Sequence, residues 1–146
     1  MQGAAYWSLD GSGEIEKAYC CLNASALDFA KFGQLLLNGG EWQGKQLLSK
    51  EHIEFMITPN AAAFPDGYAQ IYGHSVWTDR DSPIPFYAML GHLGQRVLVL
   101  PEENVIIVRL GKQKGLPTPV DGFHLEQDLG QYVTEVKTIL DGLAVK

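Results

Sequence analysis

The sequence is short of positive charge. Eleven lysines and arginines stand against 17 aspartates and glutamates in 146 residues, which gives a formal net charge of −6. A protein that binds nucleic acid or an anionic bilayer through its charge needs a basic surface, so we expect neither partner. Long apolar runs are missing too, because Val97–Leu100 and Val105–Val108 fall far below the ~20 residues of a membrane-spanning helix. The sequence therefore predicts no membrane span.

Cysteine is scarce, with only two residues, which are adjacent at Cys20 and Cys21. Neighbouring Cα atoms lie ~3.8 Å apart, closer than an ordinary disulfide allows, so we expect two thiols. The sequence contains no Cys-x-x-Cys or His-x-x-x-His spacing, so a structural zinc site is not expected. No metal and no other cofactor is implied.

A self-contained catalytic motif is also missing. None of the six serines precedes a lysine by three positions, and none lies in Gly-x-Ser-x-Gly. Two alternatives stay open: a Ser, His and Asp set assembled in space, and a thiol nucleophile at Cys20 or Cys21. Carboxylates are paired at Glu14 and Glu16, Asp79 and Asp81, and Glu102 and Glu103, all in expected turns where solvated charge is ordinary. We therefore predict no catalytic residue within these 146 residues.

What is present is the composition of one soluble domain, with 46% hydrophobic and 19% charged residues. Three segments have helical spacing of apolar residues. The first begins at a capping box, Ser25–Asp28, and ends at Asn38-Gly39-Gly40. The second is capped by Ser49 and ended by Pro59, and the third runs from about Glu126 to Leu140, closed by Asp141-Gly142.

Between the second and third helices the apolar pattern becomes strand-like. Strands are predicted at Gln70–Trp77, Phe86–Leu90, Arg96–Leu100 and Val105–Leu110, followed by an exposed loop over Lys112–Gly122. The last two strands are apolar at successive positions, so both faces of their sheet must be covered. The predicted fold class is α/β in layers: an antiparallel sheet of about four strands with helices packed on it.

The segment between two of these strands is Gly91-His92-Leu93-Gly94-Gln95, in which two glycines bracket a histidine. Glycine within a strand loses packing, so its presence suggests that a ligand approaches the backbone closely there. A bulge or turn between two strands explains the same residues equally well.

Four stretches, Ala24–Gly40, Tyr72–Trp77, Gly91–Gln95 and Pro101–Val108, occur in an order that resembles class C β-lactamase-like and penicillin-binding-protein-like serine hydrolases. Ala24–Gly40 is similar to the stretch after the catalytic tyrosine of that family, and Tyr72–Trp77 to the strand before its third motif. Gly91–Gln95 resembles the third motif itself, and Pro101–Val108 the closing hairpin. The resemblance covers about Tyr6–Leu140 and includes relatives that are esterases, amidases or 6-aminohexanoate-dimer hydrolases.

The resemblance implies which residues border a substrate pocket. His92, Leu93 and Gly94 match the Lys, Thr and Gly of the third motif, and the backbone N–H of Gln95 matches one oxyanion-hole donor. The family's Ser-x-x-Lys and Tyr-x-Asn motifs have no match here. Residues 1–146 are thus expected to be a single partial domain, the C-terminal segment of a hydrolase without its nucleophile, with a partial β-lactamase/transpeptidase-like fold.

The expected function is acyl transfer on an ester, amide or peptide substrate by the longer hydrolase, with this segment inactive alone. His92 and Leu93 lack the fixed charge and hydroxyl that bind a β-lactam carboxylate, which disfavours penicillin. The alternatives are a non-catalytic module that holds a peptide or cell-wall fragment at Trp77 and His92, and an unrelated structural domain. A sheet edge and an apolar face left uncovered predict a homodimer, strand exchange or marginal stability of the isolated chain. The resemblance also implies a periplasmic or envelope location, which these residues do not themselves indicate.

Overall fold

The structure is a computed structural model that describes residues 4–17, 20–62, 70–112, 121–125 and 128–144. Its helices are α1 (Ala26–Leu37), α2 (Lys50–Ile57) and α3 (Leu129–Ala144). Its strands are β1 (Tyr6–Trp7), β2 (Leu22–Asn23), β3 (Glu41–Trp42), β4 (Lys45–Gln46), β5 (Trp77–Asp79), β6 (Phe86–Gly91), β7 (Gln95–Leu100) and β8 (Val105–Arg109). Within the described ranges, no helix is long and apolar enough to cross a membrane.

The central element is a four-stranded antiparallel sheet in the order β5-β6-β7-β8. Strand β7 pairs with β6 from Val99 opposite Tyr87 to Gln95 opposite Gly91, and with β8 from Leu100 opposite Val105 to Arg96 opposite Arg109. The predicted four-stranded sheet and the predicted strands of the β6–β8 region are therefore confirmed. The fold class is mixed α/β, as expected.

Both faces of the sheet are covered, which explains why β7 is apolar at successive positions. On one face Phe86, Ala88, Leu98 and Leu100 pack with Leu129 and Val133 of α3. On the other face Tyr87 and Val99 pack with Leu36 of α1 and Ile53 of α2. Because successive side chains of a strand point to opposite faces, each apolar position of β7 has its own partners.

Helix α1 has the predicted ends and lies very close to the sheet. The Ser25 hydroxyl accepts a hydrogen bond from the Asp28 amide at 3.2 Å, and Gly39 and Gly40 follow the helix with φ of 61° and 86°. A Cβ added to Gly33 would lie 2.8 Å from Cγ2 of Ile106 and 3.2 Å from Cγ1 of Val97. Gly33 therefore sets the approach of α1 to β7 and β8.

The strand predicted over Gln70–Trp77 is wrong, since only Trp77 of this range lies in a regular strand. Tyr72 forms a single bridge with Trp77, Ser75 has a φ of 73°, and the regular strand is only β5. The reason is that the chain follows the end of α2: the His74 amide donates to Met56 O at 2.8 Å. Gly73 lies so close to this helix that an added Cβ would be 2.2 Å from the same oxygen.

Two other expectations need correction. Cys20 and Cys21 form a disulfide rather than two thiols, with their Cα atoms 3.8 Å apart. The expectation excluded the bond on the Cα–Cα distance alone, whereas the two adjacent residues bridge at this distance with Cys21 in a left-handed conformation, at a φ of 74°. Helix α3 does not close at Asp141-Gly142 but continues to Ala144, because nothing obliges Gly142 to leave the helical conformation. The start of its predicted range, Glu126, and most of the predicted loop, 113–120, lie outside the described residues.

The close approach at Gly73 gives a stability prediction. Gly73→Ala places a methyl group against backbone oxygens of Met56 and Thr58, which cannot move without displacing α2. We expect the free energy of unfolding to fall by about 3 kcal/mol, as measured by urea denaturation. Gly142→Ala is the matched control, because nothing lies within 4 Å of its added Cβ and alanine favours a helix by about 1 kcal/mol. Equal stability of the two variants would contradict the proposed contact.

Candidate functional site

The segment Gly91–Gln95 is a tight turn that joins β6 to β7. Residues His92–Gly94 form one turn of 3-10 helix, flanked by Gly91 at the end of β6 and Gln95 at the start of β7. Gly91, His92 and Leu93 are exposed, Leu93 by 50% of its surface, whereas Gly94 is buried. The turn therefore presents backbone and two side chains to solvent at one end of the sheet.

The backbone of this turn is left-handed at two successive residues, with φ of 59° at Leu93 and 90° at Gly94. Glycine adopts this conformation freely, but a leucine does so at a cost of about 1 kcal/mol. The other glycine is required for a different reason. A Cβ at Gly91 would lie 2.9 Å from Cβ of Gln95, so only glycine fits opposite Gln95 in the ladder.

The Gln95 side chain is fixed by the backbone of Gly111, just beyond the end of β8. Its amide nitrogen donates to Gly111 O at 3.1 Å, and its oxygen accepts from the Gly111 amide at 3.0 Å. This reciprocal pair extends the contact between β7 and β8 past their last paired residues. Gln95 is therefore held from both its backbone and its side chain.

Two arginines lie beneath the turn. Arg96 donates through Nη1 to Gly91 O at 3.2 Å and to Gln95 O at 3.1 Å. Arg109 donates through Nη1 to Gly94 O at 2.6 Å and also to Gly111 O. Nothing in the sequence analysis singled out these arginines. The sequence signal that could have found them is an arginine at the end of each of two otherwise apolar strands, because a charged side chain beside a buried strand needs hydrogen-bond acceptors.

Strand β6 extends further than its neighbour β5. Among the described residues, β5 pairs only with Phe86, Tyr87 and Ala88, so Met89–Gly91 have no strand partner on that side. The exposed turn lies at the end of this unpaired stretch. An extended ligand could therefore approach the backbone of β6 beside the turn, which is the arrangement expected of a pocket wall.

The other candidate residues are dispersed. His74 is occupied by the Phe55 carbonyl at Nδ1 and the Asn60 amide at Nε2, both at 2.9 Å, and its ring stacks on Phe55 at 3.7 Å. His52 is exposed on α2. Trp77 packs against the core cluster on the α3 face, while Trp7 is 46% exposed. No group of three or more His, Cys, Asp or Glu side chains in the described ranges is arranged to hold a metal ion.

One pair resembles part of a catalytic set but is built into the fold. Asp79 is not solvated as expected but only 1% exposed, at the end of β5. Its carboxylate accepts from the His124 ring Nδ1 at 2.8 Å and from the backbone amides of His124 and Leu125. The hydrogen bond from Asp79, and then its charge, raise the pKa of His124. The pair anchors residues 121–125 to the sheet edge opposite β8.

The sheet, its two helical faces and the turn after β6 are consistent with a partial β-lactamase-like fold. The chain is similar to a solved structure called "Putative 6-aminohexanoate-dimer hydrolase from Bacillus anthracis", with 28% sequence identity and a TM-score of 0.64. The match covers 92% of this chain but only 32% of that chain, so the sequence spans about a third of its length. No protein-family model and no curated protein matches the chain. The similarity supports the resemblance to hydrolases of the β-lactamase fold.

The Asp79–His124 contact predicts a pH effect. Because the pKa of His124 is raised in the folded protein, its contribution to stability is present below about pH 6.5 and is lost as the pH rises through the raised pKa. Asp79→Asn removes the charge, so we expect the His124 pKa, followed by NMR of its ring, to return toward about 6.5. Asp81→Asn is the matched control, since Asp81 makes the smallest contribution among the causes. An unchanged pKa in Asp79→Asn would show that the contact does not form.

Proposed function

We propose that this chain is the C-terminal segment of a serine hydrolase of the β-lactamase fold, called here the parent hydrolase. The observation that carries the proposal is the exposed turn at the end of β6, in a fold that matches part of the Bacillus anthracis protein at 28% identity. The segment supplies one wall of the substrate pocket. The nucleophile belongs to the rest of the parent hydrolase, because no serine here precedes a lysine by three positions.

The reaction we propose is acyl transfer. A serine hydroxyl of the parent hydrolase attacks the substrate carbonyl carbon and gives its proton to the lysine of the Ser-x-x-Lys motif, so that the carbonyl oxygen becomes negative. Collapse of this intermediate breaks the bond to the alcohol or amine, which takes up the proton as it leaves, and water then hydrolyses the acyl-serine ester. A backbone N–H aimed at that oxygen stabilises the developing charge. By the family match this donor is the N–H of Gln95.

The exposed side chains suggest the substrate class. Leu93 offers an apolar surface where the family motif has a hydroxyl, and His92 replaces a lysine. Such a wall suits an ester or amide with an aliphatic chain better than a ligand held by a carboxylate. The name of the Bacillus anthracis protein specifies a dimer of an aliphatic amino acid. We therefore propose a small ester, amide or short peptide as the substrate.

The test compares the 146-residue chain with the product of the longer reading frame that this proposal requires, called here the longer product. A fluorophosphonate probe labels an activated serine, and intact mass spectrometry detects the adduct. We expect no adduct on the 146-residue chain and one adduct on the longer product, at the serine of a Ser-x-x-Lys motif. An adduct on the short chain would contradict its inactivity, and a longer product without that motif and without labelling would overturn the hydrolase proposal.

The second candidate is a binding module without catalysis, which the exposure of His92 and Leu93 favours. It requires that the longer product bind 6-aminohexanoate dimer without turning it over, as measured by calorimetry. His92→Ala would then weaken binding, whereas His52→Ala on α2 is the matched control.

We also propose that two copies pair through β8. This strand is an edge of the sheet, and all five of its residues are only half-buried although β7 beside it is almost completely buried. An open edge with apolar side chains is a template for another strand. We expect sedimentation velocity to show dimers of the 146-residue chain that dissociate on dilution. A monomer at all concentrations with cooperative melting would contradict this prediction.

A further inference from the structure

Arg96 and Arg109 lie directly opposite each other on β7 and β8, next to the turn. Residues opposite each other in an antiparallel pair share a face, so two like charges meet here, an arrangement that by itself is destabilising. Arg96 is only 5% exposed and lies 3.8 Å from the Asp128 carboxylate just before α3. Arg109 has no ion-pair partner among the described residues. Its positive charge is directed instead at the carbonyls of Gly94 and Gly111.

Each arginine holds one end of the turn by a carbonyl oxygen. Arg96 binds Gly91 O at 3.2 Å, and Arg109 binds Gly94 O at 2.6 Å. Because a trans peptide is planar, its N–H points away from its C=O, so fixing the oxygen fixes the direction of the following N–H. The two N–H groups fixed in this way belong to His92 and Gln95.

We propose that Arg96 and Arg109 are positioning residues for acyl transfer, because they fix the two ends of the turn and with it the Gln95 N–H, which the family match assigns to the substrate carbonyl oxygen. This inference rests on the proposed function and deepens it. Neither side chain touches the substrate. Their effect passes through the peptide planes of Gly91–His92 and Gly94–Gln95.

The charge on the guanidinium groups adds to this positioning. A hydrogen bond from a charged donor is stronger than one between neutral groups, and it polarises the peptide that accepts it. A polarised peptide is a better N–H donor on its opposite side, where the reaction places negative charge. The arginines therefore restore, from behind the backbone, some of the positive potential that the motif loses when histidine replaces lysine at position 92.

The turn also needs an external hold because its own conformation is unfavourable. Leu93 has a φ of 59°, a region that a leucine avoids when the chain is free to relax. Arg109 spans the turn and the segment after β8 by binding Gly94 O and Gly111 O with one nitrogen. Removing it leaves Gly94, the residue with the most conformational freedom in the turn, without its carbonyl partner.

The first measurement is NMR of the 146-residue chain without ligand. We expect Arg109→Met to move the amide signal of Gln95 and to speed its hydrogen exchange, while the amides in the middle of β7 stay unchanged. Arg96→Met should do the same at His92. Arg109→Lys keeps a charged donor and should retain the wild-type signals in part. Arg80→Met is the matched control, because Arg80 pairs with Glu54 on an exposed surface.

The second measurement is kinetics of the same variants in the longer product on an activated ester. An interaction made only in the transition state changes kcat and leaves KM unchanged. We expect Arg109→Met to lower kcat about tenfold or more at constant KM, less than the ~10²–10³-fold cost of losing a donor outright. Arg109→Lys should restore part of kcat, and Arg80→Met should have no effect.

The outcomes separate the inference from the proposed function. If the amide signals of Gln95 and His92 do not respond, or if they respond while kcat stays at the wild-type value, the positioning role is wrong and the hydrolase proposal stands. If the wild-type longer product neither labels nor hydrolyses the ester, the proposed function fails, and the positioning role fails with it. Equal losses of kcat and melting temperature in Arg109→Lys and Arg109→Met would reduce Arg109 to a structural residue.

Discussion

The burial of β7 on both faces is the constraint on which the rest of the structure depends. Leu98 and Leu100 need α3, whereas Val97 and Val99 need α1 and α2, so no helix can be removed without exposing part of this strand. The same burial fixes the register of its hairpin, because a shift by one residue would exchange the two sets. The turn before β7 is thereby held at one end of the sheet, with its exposed residues outside the packed layers.

The parts of the fold that follow from local chemistry were predictable. Ser25 and Ser49 cap helices because the hydroxyl of each accepts a hydrogen bond from a free amide in the first helical turn. The apolar runs of β7 and β8 favour buried strands. The errors arose where distant groups decide the conformation. The segment before Trp77 has the composition of a strand, but the end of α2 takes its backbone hydrogen bonds. The sequence could not show this, nor that Asp79 would find His124 across 45 residues.

For the candidate site, the sequence indicated the place but not the mechanical support. Gly91 and Gly94 indicated that a ligand approaches the backbone closely. In the structure each glycine is needed for a different reason: a Cβ at Gly91 would contact the Gln95 side chain, and Gly94 adopts a left-handed conformation. The arginines escaped notice because their partners are backbone carbonyls, which every residue carries. The order of side chains in a sequence does not show which backbone carbonyls will lie near an arginine in the folded chain.

The contact between Arg96 and Asp128 has a wider consequence. Asp128 immediately precedes α3, so the guanidinium that binds Gly91 O is itself tethered to the start of the last helix. The conformation of the β6–β7 hairpin consequently depends on a residue outside the hairpin. Transplanting it into another scaffold would carry over the glycines and the motif but not the counter-charge, and the turn would have to be rebuilt around a different anchor.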